Sequence, residues 1–157
     1  GMYEKIKNMY LRTHSPEEKR IFLGALGQFR KPSLIEKALN FSLTPSVRVQ
    51  DMPIVFNSVS SNPHSRSVFF RWVKKNWKKL KTYQKSGKLF LALVESFIST
   101  YASSDKEKEL REFFRANPIN YKMTLNRAFE KVKRNSAWLE RNRKCLKEYF
   151  SYSETRK

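Results

Sequence analysis

The sequence predicts an all-α chain, an irregular α-solenoid of about eight antiparallel helices, on three observations. Helix-start signals recur at short intervals, apolar residues repeat at three- and four-residue spacing without strand-like alternation, and the links between periodic stretches are short.

Each element has its own signal. Ser15-Pro16-Glu17-Glu18 places a capping serine, a proline at the first helical position and a glutamate three residues after the cap. Ser33 with Glu36 and Ser104 with Glu107 repeat the cap spacing, while Thr44-Pro45 and Asn62-Pro63 repeat the cap-then-proline order. Phe22, Leu26 and Phe29, then Leu34, Ala38 and Leu39, carry the helical period. The expected helices run from Tyr3 to Arg12, Pro16 to Gln28, Pro32 to Phe41, Pro45 to Ser60, Pro63 to Tyr83, Lys88 to Ala102, Asp105 to Arg115 and Met123 to Tyr149, with Asn135 a candidate break in the last. Pro53, inside the fourth stretch, is expected to bend it near Val49 or Gln50 and so re-aim Arg48, Gln50 and Asp51. Gly24 and Gly27 are expected to let helices approach closely.

Short links between amphipathic helices make successive helices neighbours, which favours a HEAT/armadillo-like stack. A compact bundle is the alternative. No strict repeat is visible, so the stack is of the irregular kind.

Composition narrows the function classes. With 4 Gly, 6 Pro and 39% hydrophobic residues among 157, the chain is globular and is expected to form one domain, residues 1–157. The longest apolar run, Leu89 to Val94, is far short of the ~20 residues a membrane helix needs. The start lacks a signal-peptide layout, and Gly1 before Met2 reads as the remnant of a cleaved tag. Cys145, the single cysteine, cannot form an internal disulfide and reads as a half-buried thiol; it fits a cytoplasmic compartment. His14 and His64 are the two histidines, and neither has a partner at metal-ligand spacing. No glycine-rich phosphate loop occurs. No catalytic, metal or cofactor-binding residue is therefore assigned to this chain.

Charge is the second strong signal. Lys and Arg number 33 against 14 Asp and Glu, a formal net charge of +19, and the block from Arg66 to Lys88 has no acidic residue. On a helix, Phe69, Trp72, Val73, Asn76, Trp77 and Leu80 fall within an arc of about 140°, with Arg71, Lys74, Lys75, Lys78, Lys79 and Lys81 opposite. That cationic side reads either as a solvated face or as a contact for nucleic acid or an acidic protein surface. Asn76, in the apolar arc, is expected to bond a neighbouring helix end or loop. Helical spacing makes Trp72, Trp77, Trp138, Phe69, Phe70, Phe113, Phe114 and Phe129 mostly core rather than stacking platforms for bases.

The segment from Val47 to Leu80 carries a further pattern: Arg48, Gln50 and Asp51, then Asn62-Pro63, then Trp72 and Asn76-Trp77. It resembles the C-terminal helical domain of the aminopeptidase N family of zinc aminopeptidases. Tyr3, Gly24-Ala25-Leu26-Gly27 and the tail positions Ala128, Asn135, Trp138 and Phe150 extend the similarity over nearly the whole chain. Neither the family's HExxH helix nor its Gly-x-Met-Glu-Asn motif occurs in these residues. The resemblance implies the last part of a larger, non-catalytic helical domain whose parent binds zinc and removes N-terminal residues from peptides. It also implies that the partners are the parent's catalytic domain and its peptides. Arg48, with Gln50 beside it, is then the candidate contact for a peptide's C-terminal carboxylate, since a guanidinium fork binds carboxylate in a bidentate way. The plainer reading of this cluster is a helix start, with Asp51 favouring the dipole and Gln50 bonding nearby backbone.

Overall fold

The computed structural model describes residues 1–154, with side chains to position 151, and it is all-α. Among the described residues are eight α-helices: α1 (Met2–Arg12), α2 (Pro16–Leu26), α3 (Pro32–Ser42), α4 (Met52–Ser61), α5 (Arg66–Thr82), α6 (Lys88–Ser99), α7 (Ser104–Ala116) and α8 (Lys122–Glu154). They divide into two compact units, one spanning Gly1–Thr100 and one beginning at Tyr101.

The first unit is a two-layer stack. Each helix packs on the next, while α2, α4 and α6 line up in one layer and α3 lies beside α5 in the other. Tyr10 of α1 joins the second layer by setting its ring edge-on against Phe41 of α3, 5.5 Å between centroids. This alternation is the local geometry of an α-solenoid. Its centre is aromatic: Phe69 of α5 stacks near Phe56 of α4 at 6.5 Å and meets Phe97 of α6 edge-on at 5.7 Å. All three rings are fully buried. The expected inward arc of α5 is borne out, since Phe69, Trp72, Val73, Trp77 and Leu80 are all buried.

Several punctuation signals do a different job from the one expected. Ser15 caps α2, its Oγ accepting from the Glu18 amide at 3.3 Å. At α7 it is Ser103, not Ser104, that accepts, from the Lys106 amide. Lys31 holds the cap position of α3, with no side-chain cap bond from Ser33. Thr44-Pro45 starts no helix, because the Thr44 hydroxyl donates to the Phe41 carbonyl at 2.8 Å and finishes α3 instead. Pro53 does not bend a helix either. It sits in the first turn of α4, where a missing amide hydrogen costs nothing, so the helix begins near it rather than at Pro45.

Asn62-Pro63 is the most informative of these turns. Asn62 is buried, and its amide donates to the carbonyls of Gly27 at 3.0 Å and Phe29 at 2.8 Å, while its Oδ1 accepts from the His64 amide at 3.0 Å. One side chain thus ties the end of α2 to the turn before α5. Close by, Ser58 Oγ donates to the Gly24 carbonyl at 2.5 Å, and Gln28 Nε2 donates to the Ser58 carbonyl at 2.7 Å.

Of the two glycines, Gly27 is the one that close packing requires. A Cβ there would lie 2.6 Å from Ser58 Oγ and 2.7 Å from Ser58 Cβ, whereas one on Gly24 meets nothing within 4 Å. Gly27→Ala is therefore expected to cost about 1–3 kcal/mol by overpacking. Gly24→Ala gains up to about 1 kcal/mol from helix propensity. Paired denaturant melts check both signs, and equal midpoints would refute the close approach.

The second unit holds two helices of unequal length. α7 has 13 residues and α8 has 33, roughly 20 Å against 50 Å at about 1.5 Å per residue, so α7 cannot cover α8. Packing ends early along α8, whose buried residues among the described side chains are Ala128, Phe129 and Val132. No break occurs at Asn135. Two sequence expectations fail for this reason: Trp138 is 53% exposed rather than core, and Cys145 is exposed rather than half-buried. Asn76 also departs from expectation, its amide donating within its own helix to the Trp72 carbonyl at 2.9 Å.

Burial has a consequence at high pH. Burial, and after it the charge of Glu4, pushes the Tyr3 phenol up to about 12 from its usual 10.0. The folded value lies above the unfolded one, so the neutral phenol is the form the fold favours. Its contribution is complete below pH 10 and is lost as pH rises through about 12. Tyr10 shifts in the same direction, chiefly by burial. Alkaline unfolding followed by circular dichroism should show this loss, and Tyr3→Phe should diminish it; an unchanged alkaline limb in Tyr3→Phe would contradict the assignment.

Candidate functional site

Arg48 lies in extended backbone just before a short 3₁₀ turn, Val49–Asp51, which runs directly into α4. This geometry brings Arg48 back over the turn, where its Nε donates to Asp51 Oδ2 at 2.6 Å. Asp51 is buried, while the Arg48 side chain keeps 51% of its surface in solvent. The hydrogen bond to Asp51, and then the carboxylate's charge, push the Arg48 guanidinium above its ordinary value. Its two terminal amino groups have no hydrogen-bond partner among the described residues. The buried Tyr10 ring borders the same cluster, its hydroxyl donating to the Ser46 carbonyl at 2.9 Å.

The structure thus joins Arg48 to Asp51 but not to Gln50. Gln50 is exposed and bonds no neighbouring backbone among the described residues. Asp51 occupies the cap position of α4 without a side-chain cap bond, since its carboxylate is spent on Arg48.

The second candidate region is the outer side of α5. Arg71, Lys74, Lys75, Lys78, Lys79 and Lys81 are all exposed, opposite the buried aromatic side. Such a row of like charges is unfavourable for an isolated helix. Packing holds it: Trp72 Nε1 donates to Asn40 Oδ1 at 2.7 Å, and Lys79 Nζ donates to the Leu43 carbonyl at 3.3 Å. An open cleft of about 220 Å³ between α3 and α5 is lined by Glu36, Val68, Arg71, Trp72 and Lys75. Glu36 reads in sequence as the cap-spacing partner of Ser33, and only the packing of α3 beside α5 puts it in a cleft. The recurrence of Arg71 and Lys75 four residues apart was the one available signal.

Among the described residues no three His, Cys, Asp or Glu side chains are grouped to hold a metal ion, and no helix is long and apolar enough to cross a membrane.

A stack of short antiparallel helices with a buried aromatic centre, a cationic flank and an arginine–carboxylate turn defines the class, an all-α helical-stack domain. A family model described as the ERAP1-like C-terminal domain matches residues 2–134, and the chain belongs to that family. It is 32% identical over 140 residues to aminopeptidase M1 of Arabidopsis thaliana, covering 88% of this chain and 16% of that protein. Mitochondrial aminopeptidase 2 of Saccharomyces cerevisiae is 28% identical over 150 residues, 94% of this chain and 16% of the relative. Aminopeptidase N of Canis lupus familiaris is 25% identical over 123 residues, 74% and 13% respectively. The chain spans about a sixth of the length of such relatives. The family resemblance drawn from Arg48, Asn62-Pro63 and Asn76-Trp77 therefore stands.

Proposed function

We propose that this chain is the non-catalytic C-terminal helical part of a zinc-dependent aminopeptidase, and that it walls the active-site cavity and limits peptide access. The observation that carries this reading is the family match over residues 2–134 together with relatives that are aminopeptidases by name and about six times longer. Both compact units then belong to one helical domain, the last part of a larger one. The parent's reaction is hydrolysis of N-terminal residues from peptides, with the zinc ligands contributed by its catalytic domain. Removing this segment from the full-length parent should broaden the range of peptide lengths cleaved. An unchanged length profile in an active truncated enzyme would refute the wall.

Arg48 is the proposed contact for a peptide's C-terminal carboxylate. Asp51 fixes it through Nε, and its terminal amino groups supply the fork. Arg48→Ala in the parent is expected to raise KM for free-acid peptides while sparing their C-terminal amides. Equal effects on both would remove the carboxylate contact.

The cationic side of α5 is proposed to face an acidic surface. Nucleic acid is the second reading, favoured by the acid-free block from Arg66 to Lys88. Sequence preference for a nucleic acid near physiological salt would favour the second. A cytoplasmic parent is part of the proposal, resting on the single cysteine. Against it, Asn40-Phe41-Ser42 fits the N-glycosylation acceptor triplet, though Asn40 is engaged by Trp72. Glycosidase sensitivity of the native parent decides this point.

A further inference from the structure

The cleft between α3 and α5 holds three charges that leave one another unpaired. It encloses about 220 Å³ between Glu36, Val68, Arg71, Trp72 and Lys75. Glu36, Arg71 and Lys75 are exposed, and none of the three has a hydrogen-bond or ion-pair partner among the described residues. The floor beneath them is apolar and fixed. Val68 is 4% and Trp72 2% exposed, and the Trp72 indole is held by its bond to Asn40 Oδ1.

The charges are also spaced. Trp72 bonds Asn40 and Lys79 bonds the Leu43 carbonyl, so α3 and α5 run in the same direction. Glu36 lies one turn before Asn40 and Lys75 nearly one turn after Trp72, which sets these two residues about 10 Å apart along the helix axes, with Arg71 between them.

This arrangement constrains the occupant. The block from Arg66 to Lys88 has no acidic residue, so the packing of α3 is what brings a carboxylate to Arg71 and Lys75. A plain anion would suit the two cations but would be repelled by Glu36, and a plain cation would suit Glu36 alone. A molecule with an ammonium at one end and a carboxylate at the other satisfies all three groups. Arg71 and Lys75, four residues apart on one helix, can share that carboxylate, Arg71 through its guanidinium fork. The cleft is smaller than the roughly 300–1,000 Å³ of pockets for drug-sized ligands, so the occupant is small.

We propose that this cleft binds a small zwitterion with an apolar side chain, its ammonium on Glu36, its carboxylate on Arg71 and Lys75, and its side chain over Val68 and Trp72. A free α-amino acid and a dipeptide share that chemistry. The site has no residue in common with the Arg48 turn, and it does not rest on the peptidase reading, since the binding belongs to this chain alone.

Saturation-transfer difference NMR on the 157-residue chain tests it with leucine, glycyl-leucine, N-acetyl-leucine and leucinamide. At least one of the two zwitterions should bind with a Kd of about 1 mM, in keeping with so few atoms. The acetyl and amide compounds each lack one charge and should bind at least tenfold more weakly. Glu36→Gln should weaken the zwitterion tenfold and leave N-acetyl-leucine unchanged, while Arg71→Gln should weaken it and leave leucinamide unchanged. Both replaced side chains are exposed, so circular dichroism should stay the same in each variant. Tighter leucine would identify the free amino acid as the source and tighter glycyl-leucine the dipeptide, and either upholds the site. N-acetyl-leucine binding as well as leucine, no saturation by either zwitterion, or unchanged zwitterion binding in Glu36→Gln would overturn it.

Discussion

Phe69→Ala is expected to lower the unfolding free energy of the first unit by about 3–5 kcal/mol. The ring is fully buried and touches its neighbours on two sides, near-parallel to Phe56 and edge-on to Phe97. Three helices meet there, α4, α5 and α6, so the surroundings have little freedom to collapse into the space left behind. The loss combines the transfer energy of the ring with the cavity it vacates. Urea denaturation should show a lower midpoint with an unchanged slope, because the surface exposed on unfolding is the same. Ile21→Ala, at a residue 67% exposed, is the control and should stay within about 0.5 kcal/mol. Similar small losses in both variants would mean that the aromatic centre does not hold these helices together.

Asn62→Ala is expected to cost about 2–4 kcal/mol, most of it from carbonyls rather than from the asparagine itself. Its amide serves the Gly27 and Phe29 carbonyls, and a buried acceptor left without a donor costs about 1–3 kcal/mol. Asn62→Asp separates this account from simple loss of volume. The carboxylate keeps the shape and still accepts from the His64 amide, but it turns an anion toward two carbonyl oxygens. It should destabilise at least as much as alanine does. An aspartate variant as stable as the parent sequence would show that the donors are not what matters, and the Asn-Pro turn would lose its explanation.

These two residues also measure how far the sequence could be read. Period and amphipathicity revealed the inward side of α5, because a helix buries whichever side is apolar whatever its neighbours are. The Asn62-Pro63 signal was visible as punctuation, yet its direction was not. A side chain that can finish one helix or start another looks identical in sequence, and only the return of α2 to the turn after α4 decides which. Pro53 fails in the same way, since a proline in a helix interior and one in a first turn differ only in where the helix begins. Trp138 was misplaced because helical spacing records an apolar side without recording whether a partner is present. In α8 that side outruns α7, and the length mismatch is a tertiary fact.

Of the candidate site, Arg48 and the α5 cations were legible as residue types with a known chemistry. What was not legible is that Asp51 takes Nε of Arg48 and leaves Gln50 outside, which follows from the 3₁₀ turn just before α4.

The most direct test of the central claim is peptidase turnover with bound metal, measured side by side on this segment and on the full-length parent. The account predicts N-terminal hydrolysis with stoichiometric zinc in the parent and neither in the segment. Turnover by the segment with zinc held by its own side chains would contradict it.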